Sequence, residues 1–220
     1  VNGVPVTTVP VPDYDFFYYG THSRLGMDAD GPKVPFHGAI DNVRIYNRAL
    51  SDSEVQQLYA YESTPPQPPT NGLVAYYPFN GNANDESGNG HNGTNVNASL
   101  APDRFGVPNK CYDFNGTNSH IDIGSSITLG HPHDAMTLSV WFSLRPIVNP
   151  EIVTGDIFTD YSGPDGHVTG DYHFFGNLAF AGKGLGHATN QMAFYCRSVP
   201  SEYVAWGNKV LDDNGWHSCI

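Results

Sequence analysis

Between Ser63 and Thr70 the chain reads Ser-Thr-Pro-Pro-Gln-Pro-Pro-Thr, and no regular element can run through that stretch. Four prolines in five positions remove backbone donors and fix φ, which forbids helix and central strand and imposes an extended, semi-rigid spacer. The run divides the chain into residues 1–62, a linker at 63–70, and residues 71–220.

Short strand-like runs dominate on both sides. Before the linker, Asn2-Gly3 is a type I′ hairpin signal, and Phe16–Tyr19 and Val43–Tyr46 read as strands. Ser51 with Glu54 three residues on forms a capping box, and Val55, Leu58 and Tyr59 give an apolar stripe. The spacing predicts one short helix near residues 52–61. After the linker, strands are expected at Leu73–Phe79, Cys111–Phe114, His120–Ile123, Met136–Leu144, Ile157–Thr159, Tyr172–Phe175, Gln191–Arg197 and Trp216–Ile220, with a polar loop over Asn80–Asn92. Met136–Leu144 alternates apolar and polar residues, as a half-buried antiparallel strand does. The fold class is therefore all-β, an antiparallel sandwich or jelly roll.

Composition narrows the functions. The formal net charge of −12 argues against nucleic acid and anionic membrane surfaces, which require a basic face. It suits a soluble outer-surface protein, or one whose carboxylates hold calcium. No apolar stretch is long enough to cross a bilayer as a helix. The start at Val1 without a Met reads as a processed or excerpted piece. Cys196 and Cys219 sit in strand-like runs and are expected to pair across neighbouring strands, leaving Cys111 over. Asn92-Gly-Thr, Asn97-Ala-Ser and Asn115-Gly-Thr fit the N-glycosylation pattern, although an Asn-rich chain yields such matches by chance.

Two stretches carry a resemblance. Gly72-Leu-Val-Ala-Tyr-Tyr-Pro-Phe-Asn-Gly81 with Asp85-Glu-Ser-Gly-Asn-Gly-His-Asn-Gly-Thr94 resembles the opening of the laminin-G-like, concanavalin A-like jelly-roll family of bacterial surface and secreted proteins. The likeness continues through Asp103-Arg-Phe-Gly106, Tyr112-Asp-Phe-Asn-Gly116, Leu138-Ser-Val-Trp141 and Trp216-His217. Phe36-His-Gly-Ala-Ile-Asp-Asn-Val-Arg-Ile-Tyr-Asn-Arg-Ala-Leu-Ser51 resembles the family's close. The order is inverted: the closing motif precedes the linker and the opening motif follows it. The expected reading is the C-terminal portion of one domain followed by the N-terminal portion of a second. Three arrangements follow from it: a window on a tandem array, a head-to-tail subunit whose residues 1–62 complete a neighbour's sandwich, or a circular permutant. A half sandwich would expose an apolar face and open edges, so residues 1–62 are expected to pack on a laminin-G-like body, within the chain or across chains.

The resemblance implies a secreted, non-catalytic module for carbohydrate binding or adhesion, free-standing or attached to a larger enzyme. The glutamates at 54, 62, 86, 151 and 202 begin no Glu-x-Asp-x-x-Glu run, and no Gly-x-Ser-x-Gly elbow, P-loop or His-Glu-x-x-His occurs. Asp85, Ser87 and Asn89 alternate oxygen-bearing side chains on a glycine-softened loop, a pattern suited to calcium, and the resemblance adds Asp41 as a fourth ligand. The same residues also suit Asx turns alone. For a sugar ligand, Tyr161, Asp165, His167, Asp171, Tyr172 and His173 combine aromatic faces with hydroxyl-binding groups, and Trp206 is the expected exposed aromatic. Trp141 and Trp216 read as core. The expected partners are a glycan or cell-surface ligand, neighbouring tandem domains, or further copies of the chain.

Overall fold

The computed structural model describes residues 22–27, 35–61, 69–124, 136–145, 156–161, 173–181, 191–198, 201–210 and 215–220. For 22, 61, 160–161, 173–181, 191–198 and 201–210 only the backbone path is described. The expected strands at 1–10 and 16–19 lie outside these residues.

Two antiparallel sheets face each other across one core. The larger is built on β2 (His37–Tyr46). Along one side of β2 runs β8 (Thr137–Leu144), which in turn pairs with β13 (Trp216–Cys219). Along its other side, β6 (Cys111–Asn115) takes the first half, from His37 to Ile40, and β3 (Leu73–Tyr77) takes the second, from Val43 to Tyr46. β5 (Ser99–Ala101) closes the edge beyond β6. The smaller sheet has the order β4-β7-β1-β9, from β4 (Thr94–Val96), β7 (His120–Gly124), β1 (His22–Leu25) and β9 (Phe158–Tyr161). β10 (His173–Ala181), β11 (Gln191–Ser198) and β12 (Ser201–Val210) form a third, antiparallel sheet.

The closing-motif strand thus lies in the middle of a sheet whose other strands all follow the linker. This satisfies the requirement that the segment pack on a body, and the body is its own chain. Burial follows the expected alternation. In β8, Leu138, Val140, Phe142 and Leu144 enter the core, where they meet Ile40, Val43 and Ile45 of β2, Phe114 of β6, and Ile121 and Phe158 from the opposing sheet. Gly38 is required by proximity: a Cβ there would lie 2.1 Å from the carbonyl oxygen of Ser143 on β8.

The expected helix is α1 (Asp52–Tyr61). Its capping box is reciprocal, since the Ser51 backbone N–H donates to Glu54 Oε2 at 2.9 Å and the Glu54 N–H donates to Ser51 Oγ at 3.4 Å. Arg48 grips the same carboxylate with both terminal nitrogens, at 2.9 and 2.7 Å. These bonds hold the Glu54 carboxyl down at about 2, with the Arg48 hydrogen bond as the largest cause. Leu58 is fully buried.

Candidate functional site

The outer face of the larger sheet is shaped by one irregularity in β2. Ile40, Val43 and Ile45 all point into the core, so the two-residue period slips once between 40 and 43. Asn42, at φ 51°, absorbs the slip, and the β2–β8 register shifts between Asp41 and Arg44. Asp41 and Arg44 are thereby buried on the face away from the core. Arg44 lies 4.3 Å from the ring centroid of Tyr76, whose hydroxyl donates to Asn42 Oδ1 at 3.1 Å.

Asp41 is 1% exposed. Its Oδ2 accepts from Arg104 at 2.8 Å, and Asn42 Nδ2 donates to its Oδ1 at 2.9 Å. Burial raises its pKa to about 6, against the opposing pull of Arg104. The Arg104 guanidinium in turn lies 4.7 Å from the ring of Trp141 and 4.6 Å from that of Phe105. Tyr59 of α1 stacks on Trp141, with centroids 6.4 Å apart and planes 12° apart. The result is a ladder, Tyr59–Trp141–Arg104–Phe105, joining helix, sheet and the β5–β6 connection. It is anchored below by a buried carboxylate and ends above in Phe105, which is 67% exposed. Val107 and Leu100, on the same connection and strand, are the other exposed large apolar residues among those described.

Cys111 lies beneath this connection and donates its thiol to the Pro102 carbonyl at 3.1 Å. Burial, with the charges of Asp41 and Asp103, pushes that thiol up to about 12, so it is no nucleophile near neutral pH. Asp41 likewise faces an arginine rather than an open cleft. The arrangement offers a rigid aromatic surface and no acid–base or nucleophilic pair.

The opening loop makes a second constellation. Asp85 Oδ1 accepts the N–H groups of Tyr76 (2.9 Å) and Ser87 (2.8 Å), and Oδ2 accepts Ser87 Oγ (2.9 Å) and the His91 N–H (3.0 Å). Burial pushes its pKa up, but these four bonds outweigh burial and the net shift is downward. Asn89 Nδ2 donates to the carbonyls of Leu73 and Val74, tying the loop to β3.

Residues 1–56 match the laminin G family model described as "Concanavalin A-like lectin/glucanases superfamily". No curated protein and no solved structure matches the chain significantly. The fold is a concanavalin A-like β-sandwich.

In this sandwich the four expected calcium ligands do not form one donor set. An ionised carboxylate offers about four lone-pair positions, and Asp85 spends four on N–H and O–H donors of its own loop and β3. The one proton of the Ser87 hydroxyl lies between Asp85 Oδ2 and the Val74 carbonyl, and Asp41 is engaged by Arg104. The residues present therefore do not fit the ion, and they make the Asx-type closure that the sequence also allowed. Among the described residues no three His, Cys, Asp or Glu side chains cluster as metal ligands would.

The expected Cys196–Cys219 bridge is corrected: Cys219 is a free thiol. β11 and β13 lie in different sheets, so the two cysteines are not on neighbouring strands. Burial pushes the Cys219 thiol up to about 11. Of the expected sugar-binding residues, Asp165, His167, Asp171 and Tyr172 lie outside the described residues. Tyr161 ends β9 opposite His22, His173 starts β10 opposite Arg197, and Trp206 lies in β12 opposite Ala193, each described by its backbone alone.

Trp141 is corrected too: it is half-exposed on the outer face rather than in the core. The signal was available, since Leu138, Val140, Phe142 and Leu144 share one parity and Trp141 has the other. Phe105 had no comparable signal, because it sits in a turn where no period applies.

Proposed function

We propose that this concanavalin A-like domain is a non-catalytic extracellular module that binds neutral carbohydrate on the Phe105 platform. The observation that carries the reading is the Tyr59–Trp141–Arg104–Phe105 ladder. A buried ion pair holds it rigid and leaves an aromatic ring at the surface for a pyranose face to stack on. The net charge of −12 favours neutral over acidic sugars and an environment outside the cell over contact with nucleic acid. Neither Asp41 nor Cys111 is placed for chemistry, which supports a binding role. A calcium ion forms no part of the proposal, because the loop expected to hold it is closed by its own hydrogen bonds.

The test is a glycan array followed by calorimetry with the sugar retained. Phe105→Ala is expected to weaken binding about tenfold, the loss of one stacking contact, while leaving the melting temperature unchanged. Equal affinity in the variant, or no sugar retained by the wild-type protein, would sink the proposal.

A further inference from the structure

Three N-glycosylation patterns occur in the chain, and the structure treats their asparagines differently. At Asn115 the side chain is the keystone of a turn. Its Oδ1 accepts the N–H groups of Thr117 (2.8 Å), Asn118 (3.0 Å) and Ser119 (3.2 Å), and Nδ2 donates to Asn118 Oδ1 at 2.9 Å. The hydroxyl of Thr117, the pattern's third residue, is itself bound to Asn115 Oδ1 at 2.8 Å. At Asn92, Oδ1 accepts the Asp85 N–H at 3.0 Å and helps close the opening loop. The next residue, Gly93, packs so tightly that a Cβ there would lie 2.6 Å from Ile121.

Asn97 differs from both. It is exposed, its backbone adopts φ 58°, and no hydrogen bond engages its side chain. The corner it tops is held from within by its neighbours. Asn95 Nδ2 donates to the Ala98 carbonyl at 2.9 Å, the Ala98 N–H donates back to Asn95 Oδ1 at 3.1 Å, and Ala98 is buried in the core. Ser99, the hydroxyl residue of this pattern, is also exposed. The corner needs nothing from the Asn97 amide.

Its position gives a glycan something to do. The corner passes from β4, the last strand of the smaller sheet, to β5, the last strand of the larger one. Among the described residues neither strand has a further neighbour, so two sheet edges meet at this turn, and open edges invite pairing with other chains unless they are shielded. We propose that Asn97 is an N-glycan acceptor whose sugar shields these two edges. In the transfer, the Asn97 Nδ2 bonds to the anomeric carbon of a lipid-pyrophosphate-linked oligosaccharide. The bond from that carbon to the phosphate oxygen breaks, the lipid pyrophosphate leaves with the electron pair, and Nδ2 gives up one proton to a base of the transferase. No atom changes oxidation state. The lipid-linked donor and the transferase belong to a secretory membrane, so the inference rests on the extracellular reading above.

The experiment translates the full chain behind a secretory leader in the presence of endoplasmic-reticulum microsomes. Only chains protected from added protease are scored, by peptide mass mapping. The expected result is sugar on Asn97 in the wild type and none at that position in Ser99→Ala, which keeps the asparagine and removes the recognition hydroxyl. Protected wild-type chains with an unmodified Asn97, or Ser99→Ala chains still modified there, would overturn the proposal. Sugar binding by Phe105 is measured on unglycosylated protein, so either reading can fail without the other.

Discussion

Asp41→Asn isolates the energetic role of the carboxyl beneath Arg104, because it keeps the shape and removes the titration. In the folded protein the Asp41 pKa is raised from 3.8 to about 6, first by burial, with the charge of Asp103 adding and Arg104 opposing. The folded state thus holds the proton more tightly than the unfolded chain does. The contribution of Asp41 to stability is fully present below pH 3.8 and is lost as pH rises through about 6. The spread between those two values corresponds to about 3 kcal/mol, at about 1.4 kcal/mol for each tenfold change in binding. With a urea slope of about 2 kcal/mol/M, that equals a midpoint shift of roughly 1.5 M. The assay is urea unfolding of wild type and Asp41→Asn at intervals from pH 3.5 to 8. Differencing removes the carboxyls that act in the opposite sense, such as Glu54, whose contribution is lost as pH falls through about 2. Cys111, held up at about 12, does not titrate in this range. Relative to the variant, the wild type is expected to gain stability as pH falls from 7 to 4. Parallel profiles would refute the claim that Asp41 is buried at a cost; a wild type that loses ground on acidification would refute its sign.

Three further outcomes rest on packing and hydrogen bonding. Asp85→Ala removes the acceptor for four donors that close the opening loop; with a discount for its partial exposure, thermal or urea unfolding is expected to register a loss of about 3 kcal/mol. In the same protein a chelator is expected to leave the wild-type melting temperature unchanged, and a marked drop would show that a metal holds the loop. Gly38→Ala pushes a methyl group to 2.1 Å from the Ser143 carbonyl in the middle of the larger sheet, so β2 and β8 must separate locally. The expected cost is about 3 kcal/mol or more, read from the urea midpoint, and a variant as stable as wild type would contradict the strand placement.

The parts of this fold that were legible are those governed by local rules. The capping box at Ser51 and Glu54, the stripe through Leu58 and the alternation of Met136–Leu144 each depend on neighbours in sequence, and each formed as expected. Four strands were not expected: β1, β4 and β5 are short and mixed in polarity, with no clear period in His-Ser-Arg-Leu or Thr-Asn-Val, while the ten-residue β12 carries Gly207 and Asn208, which read as a turn. The ladder was illegible for another reason. Asp41 and Asn42 are adjacent polar residues; Asp41 faces outward beside the inward Ile40, and only a slip at Asn42 then returns Val43 to the core. The pairing of Asp41 with Arg104 joins positions 63 apart and is invisible to any window. Trp141 has the core-type side chain but the outward parity, opposite to Leu138, Val140, Phe142 and Leu144, and parity decides its place. In the Asp85 loop oxygen-bearing side chains lie close together, but closeness alone does not tell a cation from a set of N–H donors.

The inverted order of the family motifs raises the question of which copy supplies β2. In the structure the link is tied down where it re-enters the body. The Tyr46 hydroxyl donates to the Pro69 carbonyl at 3.1 Å, the Asn47 N–H to the Gly72 carbonyl at 3.0 Å, and Arg48 Nε to the Asn71 carbonyl at 2.9 Å. A strand joined to its slot by so short a link competes at an effective concentration of about millimolar, far above that of a strand offered by another chain. The prolines add to this advantage, because a stiff link loses less freedom on closure than a flexible one. Exchange of β2 between copies would have to break those three contacts and strip β2 from β3, β6 and β8 before a neighbour's strand could enter. The motif order that suggested two incomplete domains therefore describes, in this structure, one sheet completed from both sides of its own linker.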